Sequence, residues 1–203
     1  MNSQKLRHVI LTRFNLGLYD TENPDEWMEH RMLYFSATRE SVLSQKGDFE
    51  WWLAVDSLTP GWWLKKIFTD PRMHLTSEHP KEFRSKGWTI TTRLDNDDLY
   101  LPGAIKAIQS RFAYKEVVID LKYSQLCDGV YYTSGCKCDG WERKRPNSPF
   151  LSLVENGVTK TCYARQHSRM LETHDGIFAS DDRLAVMVIH DRNLGNKIIG
   201  RKI

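Results

Sequence analysis

The chain has 203 residues, 40% of them apolar and 27% charged, with a formal net charge of +3. That length and composition suit one ordinary globular domain with a sizeable core. The mild, interspersed charge argues against a nucleic-acid partner, and no stretch approaches the roughly 20 apolar residues that span a bilayer.

The opening residues are polar, and the run Val9-Ile10-Leu11 stops at Thr12 and Arg13. No secretory signal is read there, so a cytoplasmic protein is expected. Arg7–Phe14 reads as a buried first strand, short, β-branched and apolar. Asn23-Pro24-Asp25-Glu26 then reads as a helix start, with Asn23 as cap and Pro24 in the first turn. Trp27, Met28, Met32 and Phe35 follow at helical spacing and should face the core.

Glu50–Val55 reads as a second strand ending at Asp56, and Thr59-Pro60 repeats the cap-then-proline signal before Leu64, Ile67 and Phe68. Residues 70–87 read as a polar loop. Trp88–Leu94 reads as a third, β-branched strand that runs straight into Asp95-Asn96-Asp97-Asp98. A helix is expected from about Pro102, carrying Ile105, Ile108 and Phe112. Strands are expected over Glu116–Leu121, Gly129–Thr133, Val158–Ala164 and Ala185–His190, with loop over 135–150 and a polar tail from Asp191. The alternation of strand and helix predicts an α/β domain.

Other features have a plain and a chemical reading. The pairs Trp51-Trp52 and Trp62-Trp63 are packing residues or stacking platforms for a base or a sugar. The run Arg143-Lys144-Arg145 is a solvated loop or meets phosphates. Cys127, Cys136, Cys138 and Cys162 match no common zinc spacing; free thiols are expected, with a structural zinc at Cys136 and Cys138 as the alternative.

The acidic run carries the chemistry. Ligands of open α/β sheets bind outside the carboxyl ends of strands, where this cluster falls. Carboxylates are hard ligands suited to Mg2+ or Mn2+, which complete their shells with water and phosphate oxygens. Clustered carboxylates repel one another unless a cation compensates, and Arg93 offsets part of the charge. The plain reading is a turn or helix start, which Asp and Asn both favour.

An Asp-x-Asp element ending a strand, in a chain of alternating α and β, resembles the GT-A glycosyltransferases. Five segments in order resemble, more specifically, the rhamnosyltransferase family of bacteria and their viruses: residues 8–15, 55–60, 92–98, 148–155 and 188–193. The resemblance implies a GT-A-like, Rossmann-like single domain with a mixed, mainly parallel central sheet flanked by helices. Residues 1–100 would form its nucleotide-binding half, and 101–203 its acceptor half and tail. It implies a metal-dependent transferase, in a bacterium or a virus-infected cell, moving a sugar from a UDP-, dTDP- or GDP-sugar to a glycan or other hydroxyl acceptor. Asp95, Asp97 and His190 would hold Mn2+ or Mg2+. Thr12, Arg13, Asp56, Arg93 and Asp95 would bind the nucleotide sugar. Glu155 is the first choice for the base that deprotonates the acceptor, with Asp182 and its neighbour Asp181 as rivals. A metal-dependent phosphohydrolase or nucleotidyltransferase also uses clustered carboxylates, and a non-catalytic carbohydrate-binding module would use the tryptophan pairs. No Gly-x4-Gly-Lys loop supports a kinase or ATPase.

Overall fold

The computed structural model describes residues 6–79, 81–133, 148–191, 198 and 202–203. Cys136, Cys138, the Arg143-Lys144-Arg145 run and most of the tail fall outside them. Nine strands form one sheet: β1 Arg7–Arg13, β2 Glu50–Ala54, β3 Met73–Thr76, β4 Glu82–Arg93, β5 Leu99–Tyr100, β6 Val117–Cys127, β7 Val130–Thr133, β8 Leu151–Lys160 and β9 Gly176–Ile189. Three α-helices accompany them among the described residues: α1 Pro24–Leu43, α2 Gly61–Ile67 and α3 Ala104–Ser110.

The sheet order is β3-β2-β1-β4-β8-β6-β9-β5, with β7 paired to β6. β3, β2, β1 and β4 are mutually parallel, and β6 is parallel to β9. β8 enters antiparallel between β4 and β6, which makes the sheet mixed. It runs without interruption from the strands of the first hundred residues into those of the second.

β1 shows why its sequence reads as a solid apolar run. Ile10 packs into the larger core with Phe14, Met28, Phe35, Trp51 and Ile90, while Val9 and Leu11 face a second cluster with Val118, Leu151, Leu153, Cys162 and Met170. A strand covered on both faces has no polar side to alternate. α1 starts where the proline places it, with Met28 and Phe35 buried. Its caps differ from expectation. Asn23 is left-handed, at φ 57°, and makes no side-chain capping bond. Thr59 caps nothing either: its hydroxyl donates to Asp56 O at 2.6 Å and accepts from Asn15 Nδ2 at 2.9 Å.

Several element boundaries are corrected. The polar stretch 70–87 contains β3 and the first half of β4. β3 is an edge strand, so it needs little apolar character. The strand expected over Val158–Ala164 lies earlier, at Leu151–Lys160, because Asn156-Gly157 is not a turn but a point inside β8 where Gly157 takes φ 90°. β6 and β9 also extend well beyond their apolar segments.

Candidate functional site

The parallel strands β1, β2 and β4 end together, and the chain leaving β4 turns across that edge. Leu94 N donates to Leu11 O at 3.1 Å, and Asp98 N donates to Asp95 O at 3.3 Å. This short turn splits the acidic run by alternation. Asn96 and Asp98 are buried, Asn96 still lining the cavity beside the turn, while Asp95 and Asp97 remain part-exposed. Asp98 Oδ1 accepts from Val188 N at 3.0 Å, which ties the turn to β9. Burial, reinforced by Asp97 and Asp95, raises the Asp98 pKa well above the ordinary carboxylate range. Asp98 is a structural member of the run.

Asp95 and Asp97 line a cavity of about 520 Å³ together with Arg13, Phe14, Asn15, Trp27, His30, Arg31, Tyr34, His79 and His190. Its walls come from the end of β1, one face of α1, the turn after β4 and the end of β9. His190 Nε2 lies 3.0 Å from Asp97 Oδ2, across 93 residues of sequence. The Tyr34 ring stacks on His190, with centroids 4.2 Å apart and planes 17° from parallel.

Two arginines balance the acidic pair. Arg93 Nη2 donates to Asp95 Oδ2 at 2.9 Å, and the Arg93 guanidinium sits 5.0 Å from the Tyr163 ring centre. Burial works against the Arg93 charge, but Asp95 and other neighbours outweigh it and the pKa is raised. Arg31 donates to Phe14 O at 3.0 Å and to Asn96 Oδ1 at 3.2 Å. Burial lowers the Arg31 pKa, and Asp97 and Asp95 work in the opposite direction. Arg93 thus offsets the Asp95 charge directly, and Arg31 adds positive charge nearby through its place beside Asn96.

The chemistry of the pair suits a divalent ion, because the two carboxylates offer hard oxygens to one cavity. His190 meets Asp97 as a hydrogen-bonded partner at 3.0 Å.

The other expected residues are placed as follows. Arg13 is exposed on the cavity wall, 5.3 Å from the Tyr163 ring centre. Thr12 does not reach the cavity: its side chain is buried and accepts from Trp51 Nε1 at 3.0 Å. Arg93 is turned to Asp95 and Tyr163 and does not line the cavity. Asp56 lies beyond the lining, where it accepts from Gly17 N at 3.0 Å and Leu58 N at 2.9 Å and so braces the loop after β1.

Glu155 and Asp182 are corrected as candidate bases. Glu155 stands opposite Thr89, about 20 Å down β4 from Asp95 at roughly 3.3 Å per residue. It belongs to a separate hollow with Glu116, Lys160 and His174, 3.6 Å from His174 Nε2. Burial raises its pKa, but that hollow is far from the acidic run. Asp182 is exposed beside Ser180, about 25 Å along β9 from His190. Asp181 is likewise exposed and pairs with Lys122 at 2.8 Å. Both β8 and β9 are longer than their apolar segments suggested, which carries these carboxylates away from the cavity.

Sequence reasoning missed α1 as a wall. Trp27, His30, Arg31 and Tyr34 fall at i, i+3, i+4 and i+7, a polar-aromatic stripe beside the apolar one. Of the tryptophan pairs, Trp51 is core and Trp52 stacks on His74, with centroids 5.1 Å apart. Trp63 donates to Asp25 Oδ1 at 3.1 Å, while Trp62 stays exposed under Lys66. Cys127 and Cys162 are free thiols. No described helix is long and apolar enough to cross a membrane.

No protein-family model matches the chain, and no curated protein matches it. Among solved structures, the chain is similar to S. aureus TarS 1-349, with a TM-score of 0.53 and 12% sequence identity. The match covers 91% of this chain and 60% of that one, so the chain spans less than two thirds of its structural neighbour. At that identity the likeness is one of fold, and the neighbour is a glycosyltransferase. The chain has a mixed α/β fold resembling that of a glycosyltransferase.

Proposed function

We propose that the chain is a metal-dependent glycosyltransferase of the GT-A kind, which moves a sugar from a nucleoside-diphosphate sugar to a hydroxyl acceptor. The observation that carries this reading is the meeting of Asp97 with His190 at 3.0 Å, beside Asp95, on a cavity at the carboxyl ends of the parallel strands. The fold likeness supports the same class.

In this proposal Asp95 and Asp97 give carboxylate oxygens to Mg2+ or Mn2+, and His190 Nε2–H donates to Asp97 and fixes the orientation of its carboxylate. A divalent ion there supplies Lewis-acid stabilisation to the departing diphosphate. Arg13, exposed on the same wall, adds positive charge for the diphosphate. Trp27 and Tyr34 offer aromatic faces to a base or a sugar. Asp56 acts by bracing the Gly17 loop rather than by touching the nucleotide. His79, also on the cavity, has its pKa lowered by burial, Lys81 and Arg13. It is then neutral near pH 7 and able to accept the acceptor's proton, the role that Glu155 and Asp182 are too distant to fill.

The test is turnover of UDP-, dTDP- and GDP-sugars, rhamnosyl donors included, with Mn2+ or Mg2+. Release of nucleoside diphosphate is expected, falling by about 100-fold or more in Asp97→Ala, as when a charge-stabilising group is lost. Release of nucleoside monophosphate would favour a phosphohydrolase or nucleotidyltransferase. Undiminished turnover in Asp97→Ala would remove the proposed centre.

A further inference from the structure

His190 presents its two ring nitrogens to two different neighbourhoods. Nε2 faces Asp97 at 3.0 Å, while Nδ1 faces Asp191 Oδ1 at 3.8 Å. The same Asp191 oxygen lies 3.3 Å from His30 Nε2. One ligand atom each from His30, His190 and Asp191 falls within a sphere where all lie within 4.8 Å of one another. Two imidazoles and a carboxylate are thus gathered on the side of His190 turned away from Asp97.

We propose that His30, His190 through Nδ1, and Asp191 form a second metal site, separate from Asp95 and Asp97, for one divalent transition ion of the zinc class. The donors select the ion. Imidazole suits Zn2+ and its neighbours, whereas Mg2+ prefers oxygen donors and water. Two histidines and one carboxylate leave a tetrahedral ion one open position, as in three-ligand zinc centres.

The spacing fits. Ligands about 2.0–2.1 Å from a tetrahedral ion stand roughly 3.3–3.4 Å apart. His30 Nε2 and Asp191 Oδ1 already have that separation, His190 Nδ1 stands about half an ångström too far from Asp191 Oδ1, and the two imidazoles close from within 4.8 Å. The exposed Asp191 side chain, 78% accessible, gives the ion an entry path, while the two histidine side chains are only 14% and 10% accessible.

The surroundings hold both rings. Tyr34, one turn after His30 on α1, stacks on His190, and Trp27 meets His30 edge-on with centroids 6.4 Å apart. Asp97 supplies the outer contact. A metal-bound histidine usually gives its remaining ring N–H to a carboxylate, which fixes the tautomer. With Nδ1 on the ion, Nε2–H donates to Asp97. The second ion would therefore clamp α1 to the end of β9 and set the proton of the histidine beside the acidic pair.

The proposal needs no catalytic activity and does not rest on the glycosyltransferase reading. The test is equilibrium dialysis of the chelator-treated full chain against Zn2+, followed by Co2+ absorption spectra. One Zn2+ site is expected that weakens at least about 10-fold in His30→Gln and in Asp191→Asn, and persists in Asp95→Asn. Bound Co2+ should show d–d bands without a thiolate charge-transfer band. Asp191→Asn guards against a folding artefact, because its side chain is at the surface and the circular dichroism should match wild type. No zinc binding, or equal binding by both variants, would overturn the site. So would a thiolate band, or loss of zinc in Asp95→Asn, which would merge the two centres. Failure here leaves Mn2+-dependent turnover intact, whereas failure of the glycosyltransferase reading leaves zinc binding intact.

Discussion

Asp97 and Asp98 are neighbours with opposite tasks, and the turn after β4 assigns them. Asp97 opens to the cavity and meets His190, while Asp98 is buried with Val188 N as donor. Asp97→Ala should therefore lower metal-dependent turnover by about 100-fold or more with little loss of stability. Asp98→Ala should lower stability by about 1–3 kcal/mol, the usual cost of leaving a buried donor unpaired; urea unfolding of the two variants separates the roles. A second residue sets the response to acid. His8 is buried in the sheet, 2.7 Å from Thr92 Oγ1, and burial lowers its pKa to about 3. Between pH 6.5 and 3 the unfolded chain binds the proton and the folded chain does not, so stability is full above 6.5 and falls as pH drops through this window. The slope approaches about 1.4 kcal/mol per pH unit. In thermal melts from pH 7 to 4, His8→Gln should lose less stability than wild type; equal loss would assign the acid sensitivity elsewhere.

Elements place the chemistry more than single residues do. β8 lies antiparallel between β4 and β6, and its register sets Glu155 opposite Thr89 of β4, six residues before Asp95. Glu155→Gln and Asp182→Asn should keep donor turnover within about threefold of wild type, a barrier change of about 0.6 kcal/mol. A loss of 100-fold in either would restore it as a base and contradict the geometry. The loop after β1 depends on a contact between elements. Asp56, at the end of β2, accepts from Gly17 N and Leu58 N. Asp56→Ala should reduce stability by about 1–2 kcal/mol, as two acceptor bonds are lost at a half-buried group, and should weaken donor binding through movement of the Gly17 loop. Differential scanning calorimetry and a donor titration read the two effects.

Across the whole molecule, legibility in the sequence followed burial. β1, β2 and the end of β4 are covered on both faces or packed tightly, so their apolar and β-branched residues announced them, and with them the place of Asp95 and Asp97. β3 was hidden because an edge strand needs little apolar character, and the first half of β4 because β1 pairs only with its second half, residues 89–93. β8 was displaced because Asn156-Gly157 has the composition of a turn, yet Gly157 serves as an irregularity within a long strand. The α1 wall stayed hidden for a different reason. Trp27, His30, Arg31 and Tyr34 earn their place only when β9 returns His190 to them, a contact that local periodicity does not encode. Arg93 pairs with Asp95, as its place just before the run implies, whereas Arg31 comes to the run from α1, which no local pattern announces.

The central claim is that Asp95 and Asp97 grip a nucleoside diphosphate through a divalent ion. Calorimetric titration of UDP, dTDP and GDP into the chain, with Mn2+ and then with EDTA, tests it most directly when repeated on Asp97→Ala. At least one nucleotide should bind with Mn2+, lose at least about tenfold in affinity, or 1.4 kcal/mol, with EDTA, and lose as much in Asp97→Ala. Nucleotide binding of equal strength in all three conditions would contradict the account.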